Sequence, residues 1–114
     1  MPKQRGSGEL VQGTLDMLIL RMLARGSMHG YAIAVAIESR SEDVLRVEEG
    51  SLYPALHRLE LGGMLTSEWH ISETNRRAKY YKLTAEGRKQ LAKEEQSWER
   101  VVAGIGHLLT FAPK

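Results

Sequence analysis

Cysteine is absent from all 114 residues. That excludes a disulfide framework, a thiolate metal site and a cysteine nucleophile. The four histidines, His29, His57, His70 and His107, lack metal-ligand spacing. No Ser–His–Asp arrangement stands out, and no glycine-rich phosphate loop follows a strand. The expectation is a protein that is no enzyme, with no catalytic residue, no metal and no cofactor. No apolar run approaches membrane-spanning length. The first twenty residues lack a basic start followed by an apolar run, and Glu9 and Asp16 interrupt them. No signal peptide is read there, so the cytoplasm is the default compartment. Internal repeats and low-complexity segments are also missing.

Net charge is small, only +2, but it is unevenly spread. From Glu38 to Glu49 five acids (Glu38, Glu42, Asp43, Glu48, Glu49) face Arg40 and Arg46. From Asn75 to Lys93 seven bases (Arg76, Arg77, Lys79, Lys82, Arg88, Lys89, Lys93) face Glu86 alone. A polyanion responds to such a local excess, not to the total. Hydrophobic residues at 42% suffice for one small core, which association with a second copy would help to stabilise.

Residues 1–8 read as a flexible basic tail carrying Lys3 and Arg5. From Glu9 the chain turns apolar. Leu15, Leu18, Ile19, Met22 and Leu23 have the spacing of an amphipathic helix, ended by Gly26. A second helix is expected from about His29 to Arg40, with Ile33, Ala36, Ile37 and Tyr31 inward. The connector "SEDVLRV" includes a candidate short strand at Leu45–Val47. A third helix lies within "EEGSLYPALHRLELGG", stopped by Gly62 and Gly63. Its start falls between Glu48 and Ser51. Starting at Ser51 would place Pro54 in the permissive first turn, and starting at Glu48 would place it inside the helix. A hairpin follows, Leu65–Ile71 and Arg77–Leu83 around "SETNR", with Tyr81 and Leu83 on one face. Thr84 offers an N-cap for a long last helix.

That order predicts a mostly α fold with a small β-hairpin: a winged helix-turn-helix over residues 9–84, then a C-terminal dimerisation helix over residues 85–114. In this design the third helix enters the DNA major groove and the hairpin is the wing. Leu52, Ala55, Leu56 and Leu59 cover the inward side of the third helix. Ser51, Tyr53, Pro54, His57 and Arg58 lie on or beside the opposite side. Asn75, Arg76, Arg77 and Lys79 gather at the wing, within reach of phosphates or a narrow minor groove. The coincidence of the two points to double-stranded DNA as partner. The alternative is a winged-helix protein–protein interaction module without DNA binding, since fold alone does not give function.

The last helix carries Leu91, Trp98, Ile105 and Ala112 seven apart, with Val101 and Leu108 between them and Val102 and Leu109 widening the stripe. Such a stripe predicts packing against a second copy, a homodimer. Trp69 reads as wing or core packing. Trp98 reads as a packed interface aromatic, or as a stacking surface for a flat aromatic ligand supplied twice by a two-fold axis.

The stretches "GTLDMLILRMLARGSMHGYAIA", "GSLYPALHRLE", "SEW" and "NRRAKYYKLTAEGRKQL" resemble the PadR family of bacterial transcriptional regulators, in that family's order and spacing. They cover most of residues 9–92, and the short C-terminal extension resembles the family's compact branch. The resemblance implies a winged-helix dimer on pseudo-palindromic operator DNA, usually as a repressor. It implies that the last helix makes most of the dimer by packing on the partner's first helix. It places Ser51, Tyr53, Pro54, His57 and Arg58 on the DNA-facing part of the recognition helix and Arg76, Arg77 and Lys79 on the wing. His29, Gly30 and Tyr31 then open a second helix whose first amides can bind a phosphate. It places Trp98 where some relatives set an interface aromatic and bind planar aromatic effectors. Glu48 and Glu49 depart from the neutral residues expected there: they suit the helix macrodipole but oppose phosphates.

Overall fold

The computed structural model describes residues 12–111. The expected basic tail, the domain start at Glu9 and the heptad position Ala112 lie outside them. The elements run α1 (Gln12–Leu23), β1 (Met28–His29), α2 (Gly30–Arg40), α3 (Glu49–Leu61), β2 (Leu65–Ile71), β3 (Arg77–Leu83) and α4 (Ala85–Thr110).

Helix α1 is central. Leu15, Met17, Ile19, Leu20 and Leu23 are all buried, and Leu18 and Met22 are partly covered, so apolar contact extends around most of the helix. It packs on α2, α3 and α4. Ile33 and Ile37 of α2 and Leu52, Ala55, Leu56 and Leu59 of α3 close over it. The helix ends at Leu23, before the predicted stop. Gly26 then takes a φ of +156°, which suits glycine far better than other residues.

Two local expectations fail for identifiable reasons. Leu45–Val47 forms no strand; only an isolated bridge at Arg46 remains. The connector's amides are satisfied from the end of α2 instead. Ser41 Oγ accepts from Leu45 N at 3.0 Å and Glu38 Oε2 accepts from Val47 N at 2.8 Å. Tyr31, expected inward, is 64% exposed, since Ile33 and Ile37 already fill the buried face of α2.

The sheet has three antiparallel strands in the order β1-β3-β2, not two. Met28 pairs with Tyr81 and His29 with Tyr80. A two-residue strand is too short to show alternation, so the sequence hid it. In the hairpin, Leu65, Tyr81 and Leu83 anchor the base in the core, while every residue from Glu68 to Ile71 is exposed. Asn75 turns the wing tip at φ +63°, a conformation asparagine tolerates.

Helix α3 closes with a complete Schellman motif. Met64 N donates to Leu59 O at 2.9 Å and Gly63 N to Glu60 O at 3.0 Å. Gly63, at φ +82°, is the residue that needs to be glycine; Gly62, at −80°, is not in that region. Helix α4 begins on top of this cap. Thr84 Oγ1 lies 2.7 Å from Gly63 O and 2.9 Å from Met64 O, and it accepts from Gly87 N at 2.9 Å. Gly87 sits so close that any Cβ would collide with the Met64 carbonyl oxygen.

Leu91, expected in the dimer stripe, is instead 7% exposed and belongs to the domain's own core. The stripe therefore loses its cover within the chain partway along the helix. Its first turns pack on α1, and an ion pair joins Arg21 to Glu95 at 3.0 Å. Beyond it Trp98, Val101, Val102, Ile105, Leu108 and Leu109 stand exposed.

Gly87→Ala is expected to lose about 1–3 kcal/mol through overpacking against backbone. Gly63→Ala is expected to lose about 1 kcal/mol by forcing a Cβ into the left-handed region. Urea denaturation of both, beside Gly104→Ala as an unhindered helical control, measures the difference.

Candidate nucleic-acid interface

The outward face of α3 is set by its inward one. With Leu52, Ala55, Leu56 and Leu59 in the core, Gly50, Ser51, Tyr53, Pro54, His57 and Leu61 must face out, and all are exposed. The helix starts at Glu49 with Glu48 as N-cap, and the Glu48 side chain makes no capping bond. Pro54 is therefore the sixth helical residue, inside the helix. An interior proline costs about 3 kcal/mol. Each leucine buried on the other face returns about 1.5–3 kcal/mol, and there are three, so tertiary packing decides.

Tyr53 crosses to α2. Its ring lies over Gly30, with Cε1 2.8 Å from where a Gly30 Cβ would sit. "MHGY" and "GSLYPAL" thus meet in space: Gly30 is bare so that Tyr53 can lie on it. His29, half-buried, is the N-cap of α2, its Nδ1 accepting from Ala32 N at 3.1 Å. An imidazole accepts at Nδ1 only when its proton sits on Nε2. This commits one side of His29 and one of the α2 amides to the fold. Tyr80 stands edge-on between His29 and His70, at 5.4 and 5.3 Å.

Arg58 is held away from the exposed front of α3. Its guanidinium pairs with Asp16 of α1 at 2.9 Å. Asp16 is mostly covered, and burial raises its carboxyl above the usual 3.8 despite the pull of Arg58, with Glu94 adding a smaller push. Glu60 shows the opposite balance. A 2.6 Å bond from Ser67 Oγ holds its carboxyl below the usual range, helped by Lys79 Nζ at 3.5 Å. Glu60 so ties the end of α3 to both strands of the wing. Tyr81, beneath, has its phenol pushed up, first by burial and then by Glu60 and Tyr53.

At the wing, Asn75, Arg76 and Arg77 are exposed, and no described carboxylate pairs with either arginine. Lys79 is drawn back toward Glu60. Trp69 is outside the core, 56% exposed, with the Arg77 guanidinium 4.7 Å from its ring centre. Spacing sets Glu60 on the flank of the outward face of α3, but it gives neither Glu60 nor Asp16 a partner. Their signal would have been acids at long sequence separation from bases, which only the fold brings together.

Three core helices, a three-stranded wing and an exposed third helix define a winged helix-turn-helix protein. The Transcriptional regulator PadR-like family model matches residues 19–93. Transcriptional regulator Rv3488 of Mycobacterium tuberculosis is 32% identical over 97 residues, 85% of this chain and 87% of that protein. A PadR family transcriptional regulator of known structure from Eggerthella lenta is 36% identical, with TM-score 0.74 over 89% of this chain and 86% of its own. A transcriptional regulator from Clostridium thermocellum is 32% identical, with TM-score 0.76 over 84% and 93%. The chain belongs to the PadR-like family of transcriptional regulators.

The Asp16 carboxyl has a higher pKa folded than unfolded, so its neutral form is the one the fold favours. That contribution is complete below 3.8 and is lost as pH rises through the elevated folded value. Asp16→Asn is therefore expected to gain on the wild type in melting temperature as pH is raised from about 4 to 7. A constant offset across that range would contradict it.

Proposed function

We propose that this regulator binds operator DNA as a homodimer and represses transcription from it. The carrying observation is the adjacency of two surfaces. The exposed front of α3 offers small and hydrogen-bonding groups, and the wing beside it ends in Arg76 and Arg77 without acidic partners among the described residues. The front of α3 (Ser51, Tyr53, Pro54, His57) would enter one major groove per protomer, with Arg58 left to the fold. Asn75, Arg76 and Arg77 would meet the neighbouring backbone or minor groove. Near His29 and Tyr31, a phosphate could approach only the α2 amides ahead of Ala32.

Dimerisation is supported by the second half of α4. Its six exposed apolar side chains share one face. Two such helices on a two-fold axis would set half-sites about one helical turn apart. Trp98, 44% exposed, would stand near that axis, where a small flat aromatic effector could stack on it and shift the spacing of the two α3 helices.

A gel shift on the promoter beside the gene, repeated at rising salt, is expected to show log K falling by about 0.9 per neutralised phosphate. Arg76→Ala with Arg77→Ala should flatten that slope by about 2. Unchanged binding would remove the wing from the interface. Light scattering at micromolar concentration should give the mass of two chains, and Ile105→Glu should give one. A monomeric wild type would overturn the role given to α4.

A further inference from the structure

The wing carries one feature that its arginines alone do not explain. Pairing of β2 with β3 sets Leu65 opposite Leu83, Ser67 opposite Tyr81, Trp69 opposite Lys79 and Ile71 opposite Arg77, all on one face. The base of this face is core. Its middle reaches α3, because Ser67 and Lys79 both contact Glu60. The face therefore looks toward the recognition helix. Continued to the tip it presents Trp69 and Ile71, both more than half exposed, with Arg77 and Lys79. Among the paired residues, no acid lies on this outer part. Glu68 is on the opposite face, with His70, Tyr80 and Lys82.

An exposed indole is a costly way to keep a hairpin soluble, since Thr or Lys would serve that end without wetting an aromatic ring. Here the ring has a distinct task. The Arg77 guanidinium lies 4.7 Å from its centre, and Lys79 Nζ lies 6.0 Å away. Lys79 is restrained by Glu60, so Arg77 is the cation left to act outward. A guanidinium held against an aromatic ring keeps its N–H donors, which point outward in its own plane. Stacking therefore uses none of its hydrogen-bonding capacity and removes part of the freedom it would lose on binding.

We propose that Trp69 is a positioning residue for DNA: it holds Arg77 on the α3 side of the wing, ready for a phosphate, while its exposed ring edge and Ile71 lie against the deoxyribose of the same strand. An apolar strip rimmed by cations matches a sugar–phosphate wall in both polarity and charge. The inference rests on the DNA-binding reading of α3 and the wing, and adds a residue and a mechanism to it.

A double-mutant cycle on the full chain tests it, using a duplex that the wild type enriches from a random-sequence library. Trp69→Ala is expected to weaken binding by about three- to tenfold. Trp69→Phe should recover part of the loss, since a phenyl ring still stacks. Arg77→Ala should weaken binding and flatten the salt slope by about 0.9. In the Arg77→Ala background, Trp69→Ala should add little, because the cation it positions is gone. Melting temperatures should match the wild type, as Trp69 is outside the core. Wild-type affinity in Trp69→Ala, or fully additive losses, would overturn the proposal and leave the DNA reading standing. A wild type that enriches no duplex would overturn that reading and this inference with it.

Discussion

The contact on which the rest of the architecture depends is the meeting of Thr84, Gly87, Gly63 and Met64. It is small: a hydroxyl, two backbone carbonyls and a glycine with no room for a methyl group. Yet Gly63 and Met64 end α3 and lead into the wing, and Thr84 ends the wing and caps α4. One knot of backbone therefore fixes three elements against one another. Thr84 N also donates to Met64 O at 3.0 Å, and the single hydroxyl proton of Thr84 is shared between that oxygen and Gly63 O. Backbone groups that are satisfied this fully leave little freedom for α3, the wing and α4 to move separately.

Electrostatics repeats the pattern at longer range. Asp16–Arg58 ties α1 to α3, Arg21–Glu95 ties α1 to α4, and Glu60 ties α3 to the wing. The partly buried Asp16–Arg58 pair does little for stability, because the desolvation of Asp16 outweighs the attraction. Its effect is geometric. It takes a long cation off the front of α3 and leaves that surface to shorter groups.

Much of this was legible in the sequence because it rests on periodicity and local chemistry. The helix and hairpin order, the Thr84 cap, and the buried face of α3 all follow from residues close together in the chain. The failures have a common cause. Strand β1 is too short to carry a pattern and exists only because β3 lies beside it. The Leu45–Val47 segment looks like a strand, but Ser41 and Glu38 take its amides. Leu91 fits the heptad, yet α1 reaches it within the same chain. Arg58 sits on the right part of α3 and is claimed by Asp16, 42 positions away. Each outcome was decided by a partner distant in sequence, which spacing within one element cannot reveal.

Pro54 has a consequence for the hydration of α3. The start of an α-helix ordinarily shows water only donors, since its early carbonyls are already taken by amides one turn on. Pro54 has no amide to give, and the carbonyl four residues before it belongs to Gly50, on the exposed front of the helix. That carbonyl lacks its usual donor. The front of α3 therefore shows water a backbone acceptor one turn in from its free amides.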